Sequence, residues 1–294
     1  MRTLLPWFLL LGACDPSAAR TGGRPADPPA LIRVISWNVH DLFDETAEPG
    51  TLDPAIPAVE VEAHLDEVAA VLRRLGADVV LLQEVERLPL LLRLASRAGY
   101  PEARLVEGND PRGIDVALLS RWPVARYQGH AAERAADGRL LWPRDAVEAE
   151  VALGAARLLI VGTHLSSHLS DPDGVRRLLQ AARLRELADA AAAADPEALV
   201  LAGGDLNDQA TAPALAPLLG DGQWQDAVAA TALAAAGGGS GGWTWSDGRL
   251  RESLDHLAVR AADRGTLLAG WVAEGADVAA ASDHRPVVLD LRRW

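Results

Sequence analysis

The sequence predicts an α/β protein in which a mixed β-sheet is covered by helices. Three observations point there. Short apolar runs of strand length alternate along the chain with longer segments of helical period. Hairpin-like pairs interrupt that alternation, so the sheet is not purely parallel. Half of the 294 residues are apolar, enough for the core of one large α/β domain.

Taken in order, the chain starts with a processing segment. Arg2 gives a positive start, Leu4 to Leu11 is apolar, and the run ends in Leu11-Gly12-Ala13-Cys14. It is too short to span a bilayer as a mature helix. Cys14, the only cysteine, directly follows the small residues of a cleavage site. The pattern resembles a bacterial lipoprotein signal, with residues 1–13 removed and Cys14 lipidated. An ordinary secretory signal cleaved nearby is the alternative. Without a second cysteine no disulfide forms within the chain. Residues 14–30 are rich in Pro, Gly and Ala and read as a flexible tether. The expected location is the bacterial cell envelope, lipid-anchored and facing the periplasm or the exterior.

Residues 31–294 read as one domain. Leu31 to Asn38 is a strand ending in an amide. Val61 to Leu75 has helical spacing and is capped by Gly76. Asp78 to Glu84 is a buried strand ending in a carboxylate, and Leu88 to Ala98 a helix closed by Gly99. Gly113 to Ser120 is strand-like, Ala146 to Val151 alternates, and Arg157 to His164 is a buried strand ending in His. Asp173 to Ala194 is a long alanine-rich helix. Ala198 to Ala202 is a short strand, and Gly203-Gly204 is expected to turn the backbone sharply and leave room for a ligand. Ala212 to Leu219 reads as a short helix, and Ala234 to Gly242 as a glycine-rich loop. Trp243 to Trp245 and Leu254 to Val259 are expected to pair as a hairpin. Val287 to Leu291 is the last strand.

One grammar repeats: an apolar strand, then a side chain able to bind metal or phosphate. It occurs at Asn38, Glu84, His164, Asp205 with Asn207, and Asp283 with His284; Asp255 beside His256 adds a sixth place. Spare carboxylates at the ends of buried strands are costly unless a cation or a partner meets them. His256 should point to the opposite face of its strand from Asp255 and is left out of the set. His168 reads as a surface residue, and Asp115 as structural or site-facing.

Asn38, Gln83-Glu84, Thr163-His164, Gly204-Asp205-Leu206-Asn207 and Ser282-Asp283-His284 stand in the order and approximate spacing of the endonuclease/exonuclease/phosphatase family. The chain resembles that family from about Leu31 to Trp294. The resemblance implies a four-layered α/β sandwich, two packed mixed β-sheets flanked by helices. It implies a phosphoesterase that uses Mg²⁺, with Mn²⁺ or Ca²⁺ as alternatives. Glu84 would be the central metal ligand, supported by Asn38 and Asp283. Asp205 would activate the attacking water, and Asn207 would hold the water or the phosphate. His284, oriented by Asp255, would be the general base or the electrostatic partner of the water. His164 and Arg144 would bind the phosphate.

The substrate stays open between nucleic acid, DNA or RNA, and a phospholipid or small phosphate ester. The net charge of −13, with no lysine in the chain, argues against non-specific nucleic-acid binding. It does not exclude a metal-bridged phosphate ester. A non-catalytic binding module on the same fold is the reading from another class. No protein partner is expected, and the chain reads as a monomer.

Overall fold

The computed structural model describes residues 30–47, 50–234, 242–292 and 294. The signal segment, Cys14 and the tether as far as residue 29 lie outside the described residues, as does most of the Ala234–Gly242 loop.

The first sheet begins with β1 (Leu31–Leu42), β2 (Val79–Val85), β3 (Glu102–Leu105) and β4 (Asp115–Ser120). The second holds β5 (Val124–Gly129), β6 (Ala146–Leu153), β7 (Ala156–His164), β8 (Leu199–Asp205) and β9 (Trp224–Asp226). A ribbon of β10 (Trp245–Ser246) and β11 (Arg251–Glu252) follows. β12 (Asp255–Arg260) then joins the second sheet, and β13 (Leu267–Val272) and β14 (Val287–Arg292) complete the first. The strand orders are β13-β14-β1-β2-β4-β3 and β5-β6-β7-β8-β12-β9. Each sheet has one parallel pair at its centre, β1 with β2 and β7 with β8; the other pairings are antiparallel.

The sheets pack face to face through one face of each strand. Val34, Leu81 and Leu118 of the first meet Ile160, Leu201 and Leu257 of the second in a common core. Helices α1 (Ala58–Leu75) and α2 (Leu88–Ala98) cover the outer face of the first sheet with Val68, Leu72, Leu91 and Leu94. Helix α3 (Val175–Ala194) and the one-turn α4 (Ala216–Leu219) cover the second with Leu184, Ala188 and Leu218. The shorter α5 (Ala227–Ala234) and α6 (Ala276–Ala281) follow β9 and β13. The result is the expected four-layered α/β sandwich.

Local chemistry sets the boundaries of the long helices. Gly76 and Gly99 adopt left-handed φ of 66° and 80° and donate back to Leu72 and Ala95, closing α1 and α2. The expected glycine turn after Ala202 does not exist. β8 runs straight through Gly203 and Gly204 to Asp205. The glycines are there because φ is 150° and 139°, and a Cβ would lie 2.0 Å from His256 O or Thr163 O of the neighbouring strands. The expected hairpin is also corrected. Trp245 pairs with Glu252, whereas β12 inserts between β8 and β9.

Candidate active site

The site lies at one end of the layer between the sheets. Successive side chains alternate faces, so the inward row of each strand ends in a polar residue at this rim. In the second sheet His164 stands opposite Asp205, and Asp205 opposite Asp255. Three neighbouring strands thereby present imidazole, carboxylate and carboxylate in one row. In the first sheet Asn38 stands opposite Gln83. The next residue, Glu84, is pushed out of both its ladders by a bulge. Its φ of 65° is left-handed, which re-aims the carboxylate toward the second sheet. The other non-glycine residues with positive φ are His40, Asp41 and Asn207, all at this rim. Strained backbone among the described residues is therefore concentrated here, as at sites whose geometry is over-determined by their surroundings.

Asn38 ties the sheets together. Its Nδ2 donates to Glu84 Oε1 and to Asp205 Oδ2, both at 3.0 Å, while its Oδ1 accepts from the His40 N–H. The Asp41 N–H donates to Glu84 Oε2 at 2.8 Å. Burial alone would raise the Glu84 pKa. The bonds from Asn38 and Asp41, then the charges of His284 and Arg112, outweigh it and hold the carboxyl below its usual value.

His284 follows the turn at Ser282, whose hydroxyl donates to Asn38 O and accepts from the His284 N–H. Its Nδ1 lies 2.8 Å from Asp255 Oδ2. Its Nε2 points to Asp205 Oδ2 at 3.8 Å. Burial opposes the imidazolium, but Asp255 and Asp205 together push its pKa up to about 10. Asp205 is fully buried and is raised to about 7, first by that burial and then by Asp255, against the pull of His284. His164 lies 3.3 Å from Asp205 Oδ2 and 4.0 Å from Glu84 Oε1. Burial, reinforced by Arg144, lowers its pKa well below normal, so it is a neutral ring.

Asp205, Asp255 and His284 place ligand atoms within 4.8 Å of one another. The Asp255–His284 bond ties up one ring nitrogen and one carboxylate oxygen of this trio, which makes it an acid–imidazolium–acid stack. The oxygen-rich side of the site, suited to a hard cation, lies around Glu84. Asp41 is adjacent there, its own carboxyl raised to about 6 by burial and by Glu84. Buried His164 Nδ1 and Asp255 Oδ1 have no partner. Crowded carboxylates and orphaned buried atoms fit a site completed by a cation and a polar substrate.

The remaining expected residues divide. Asn207 caps the row: its N–H donates to Asp205 Oδ1 and its Nδ2 to Leu165 O. Arg144 also donates to Leu165 O, and its Nε lies 2.9 Å from Asp110 Oδ2 without the alignment of a hydrogen bond. It is a buried bracket beside the site rather than an open arm. Asp283 spends its oxygens on His40 Nδ1 at 2.6 Å and Trp245 Nε1 at 2.9 Å. His168 is half exposed and accepts from Arg177. Asp115 is buried, accepts from the Gly108 N–H, and is raised to about 9 by burial and by Glu107. Sequence reasoning missed His40, Asp41, Asp110 and Arg112, which link Asp283, Glu84 and Arg144. Arg112 holds Asp41 at 3.0 Å and Asp110 through its N–H at 2.9 Å. Only their closeness in sequence to Asn38 and to the Gly113 stretch could have flagged them.

A sequence profile described as the Endonuclease/Exonuclease/phosphatase family matches residues 35–284, most of the chain. The chain belongs to this family. Among curated proteins no sequence match is found. Solved structures similar to it include truncated TDP2 from Caenorhabditis elegans, at 19% identity and TM-score 0.64, covering 90% of this chain and 98% of that one. The human Nocturnin catalytic domain with bound sulfate is also 19% identical, with TM-score 0.64 and coverages of 90% and 95%. A family protein from Bacteroides thetaiotaomicron is 14% identical, with TM-score 0.60 and coverages of 89% and 94%. At these identities the likeness establishes the shared phosphoesterase fold of the family and no substrate.

Proposed function

We propose that the protein is a metal-dependent phosphodiesterase that hydrolyses its substrate by in-line attack of water. The observation that carries the reading is the His164–Asp205–Asp255 row with His284 stacked against it. Glu84, with Asn38 and Asp41 beside it, would hold the cation, Mg²⁺, Mn²⁺ or Ca²⁺; Asp283, the other expected ligand, would have to release His40 or Trp245 to join it. Bound there, a hard divalent ion would neutralise the non-bridging phosphate oxygens that repel a nucleophile.

The chain's own residues supply the rest. Asp205 takes a proton from the attacking water as the new P–O bond forms. The bond to one alcohol breaks, and the departing alkoxide recovers a proton through solvent, leaving a phosphate monoester. A carboxyl near pH 7 is matched to that exchange. His284 acts as the electrostatic partner, because two flanking carboxylates keep it protonated; Asp255 fixes which nitrogen faces the site. The neutral His164 and the Asn207 amide orient the phosphate and the water. Arg144 contributes through the Leu165 carbonyl that it shares with Asn207.

The test is hydrolysis of bis-p-nitrophenyl phosphate, DNA, RNA and phospholipid vesicles by the full chain, with Mg²⁺, Mn²⁺, Ca²⁺ or EDTA. Turnover that EDTA and Asp205→Asn both abolish is expected. Turnover that survives either would sink the reading. The lipid anchor at Cys14, and with it the envelope location, rests on the sequence alone. Mass spectrometry of the N-terminal peptide from membrane fractions tests it, and an unmodified Cys14 ends it.

A further inference from the structure

A cleft of about 640 Å³ opens beside the Glu84 side of the site. His40, Asp41 and Asp283 form its inner end, next to the residues that brace Glu84 and Asn38. One wall is the exposed side of α1, with Glu60, His64 and Glu67. Residues 279–281 of α6, which packs against α1, complete the lining together with Trp243 and Arg285. Val61, Phe43 and Ala281 give it an apolar floor.

The charged groups of this cleft are mostly acids, Asp41, Glu60, Glu67 and Asp283 against His40 and Arg285. His64 Nε2 lies 2.9 Å from Val39 O and 3.0 Å from Ala281 O. Both neighbours are carbonyls, so Nε2 must carry the ring's hydrogen. Burial holds His64 neutral, and its Nδ1 is therefore left with a lone pair. Among the described residues no base pairs with Glu60 or Glu67. The two cationic groups in the lining are already committed. Arg285 bonds Glu274 at 2.6 Å and stacks 3.3 Å from the Trp243 ring centre, and His40 is paired with Asp283. A second phosphate entering here would meet more negative charge than positive, four carboxylates against two cations that are each already paired with an acid.

We infer that this cleft receives one alcohol group of the phosphodiester, and that this group is not anionic and carries hydrogen-bond donors, as a polyol or an amino alcohol does. The inference rests on the phosphodiesterase reading above. It makes the preferred substrate a diester with a hydroxyl- or amine-bearing substituent on the Glu84 side. An internal bond of a polynucleotide, which would thread a further phosphate through the cleft, is disfavoured.

The experiment compares methyl phosphodiesters whose second alcohol is ethyl, glyceryl, 2-aminoethyl or phosphoglyceryl, with products followed by ³¹P NMR. The glyceryl or the aminoethyl ester should exceed the ethyl ester in kcat/KM by roughly 10-fold, the scale of about 1.4 kcal/mol from one or two good hydrogen bonds. Which of the two leads separates polyol from amino alcohol. The phosphoglyceryl ester should fall below the ethyl ester. Turnover of all four at equal rates, or fastest turnover of the phosphoglyceryl ester, overturns the inference and leaves the phosphodiesterase reading standing. No turnover of any diester overturns both. Glu60 and Glu67 are exposed, so the Glu60→Arg/Glu67→Arg variant should fold. It should raise the phosphoglyceryl-to-glyceryl ratio by roughly 5- to 10-fold, given the modest worth of each exposed charge contact. An unchanged ratio overturns the charge argument.

Discussion

Two buried histidine–aspartate pairs sit on opposite faces of the same strand. Asp255 and His256 are neighbours on β12, and each is half of a pair. On the inner face Asp255 holds His284 at 2.8 Å; on the outer face His256 holds Asp226 at 2.7 Å. Burial opposes charge on both imidazoles, and a carboxylate raises both pKa values against it. The difference is in the second ring nitrogen. That of His256 is closed off by Asp208 O and Ser253 O, both at 3.0 Å. That of His284 faces only Asp205, 3.8 Å away, across a gap too long for a hydrogen bond. The lesson is that residue type, burial and pairing do not identify a catalytic histidine. A free valence aimed at other chemistry does.

The comparison predicts that the two truncations share a stability loss and differ in rate. Each strands a carboxylate partner, Asp255 or Asp226, and should cost about 3–5 kcal/mol. His284→Ala should in addition lower diester hydrolysis by roughly 10²- to 10⁴-fold, the range for a positioned acid, base or charge, while His256→Ala should leave the rate of the folded protein nearly unchanged. Steady-state rates and chemical denaturation of both variants decide this. If His256→Ala loses more rate than His284→Ala at equal stability, the closed pair belongs to the site and the distinction fails.

Much of this arrangement was legible in the sequence, for physical reasons that can be named. The alternation of faces along a strand puts His256 away from Asp255. Glycine caps fixed the ends of α1 and α2 because few other residues accept left-handed φ cheaply. Polar residues closing apolar runs marked the rim, since buried strand ends seldom carry unpaired carboxylates. What was hidden depended on backbone detail or on distant packing. No local pattern announces the bulge that turns Glu84, or the left-handed backbone at His40 and Asp41. Edge strands β5 and β13 were missed because they are partly exposed and do not alternate cleanly. The Gly203-Gly204 pair reads as a turn in sequence, yet it serves close strand packing. The position of Arg144 beside Asp110 follows from two loops meeting, which sequence spacing does not encode.

A finer test asks whether the open pair acts as one unit. Asp255→Asn should also slow hydrolysis, by roughly 10-fold or more, since it leaves the His284 ring unoriented and its cation unsupported. In the double variant with His284→Ala the second loss should nearly vanish. Losses that add in ln k would mean that Asp255 serves Asp205 directly, its partner across the β8–β12 ladder. The closed pair supplies the control. Asp226→Asn should show no such coupling to His284→Ala in rate.

The smallest expected effect concerns pH, and it separates the two faces by sign. Asp205 is pushed up to about 7 by burial and by Asp255. A carboxyl raised in the fold keeps its proton where the unfolded chain, at about 4, has lost it. Folding therefore binds protons in that interval, and the stability contributed by Asp205 falls as pH rises from about 4 to 7. His284, pushed up to about 10, extends the decline: its contribution is present below the unfolded value of about 6.5 and is lost toward pH 10. On the other face Asp226 is held below its usual value; burial opposes this, but the bond and charge of His256 prevail. Its contribution is present above about pH 4 and is lost as the pH falls through the folded value. In EDTA, the wild type should melt lower at pH 7.5 than at pH 5. Asp205→Asn should shrink that difference by roughly a few °C, the scale of about 1 kcal/mol for a chain of this size. Asp226→Asn should flatten the fall below pH 4, and it alters the pH 5 to 7.5 difference only through His256, whose proton Asp226 holds. If Asp205→Asn keeps the full difference between pH 5 and 7.5, the open face is not under the strain of an unmatched buried carboxylate. The contrast between the two pairs would then reduce to geometry alone.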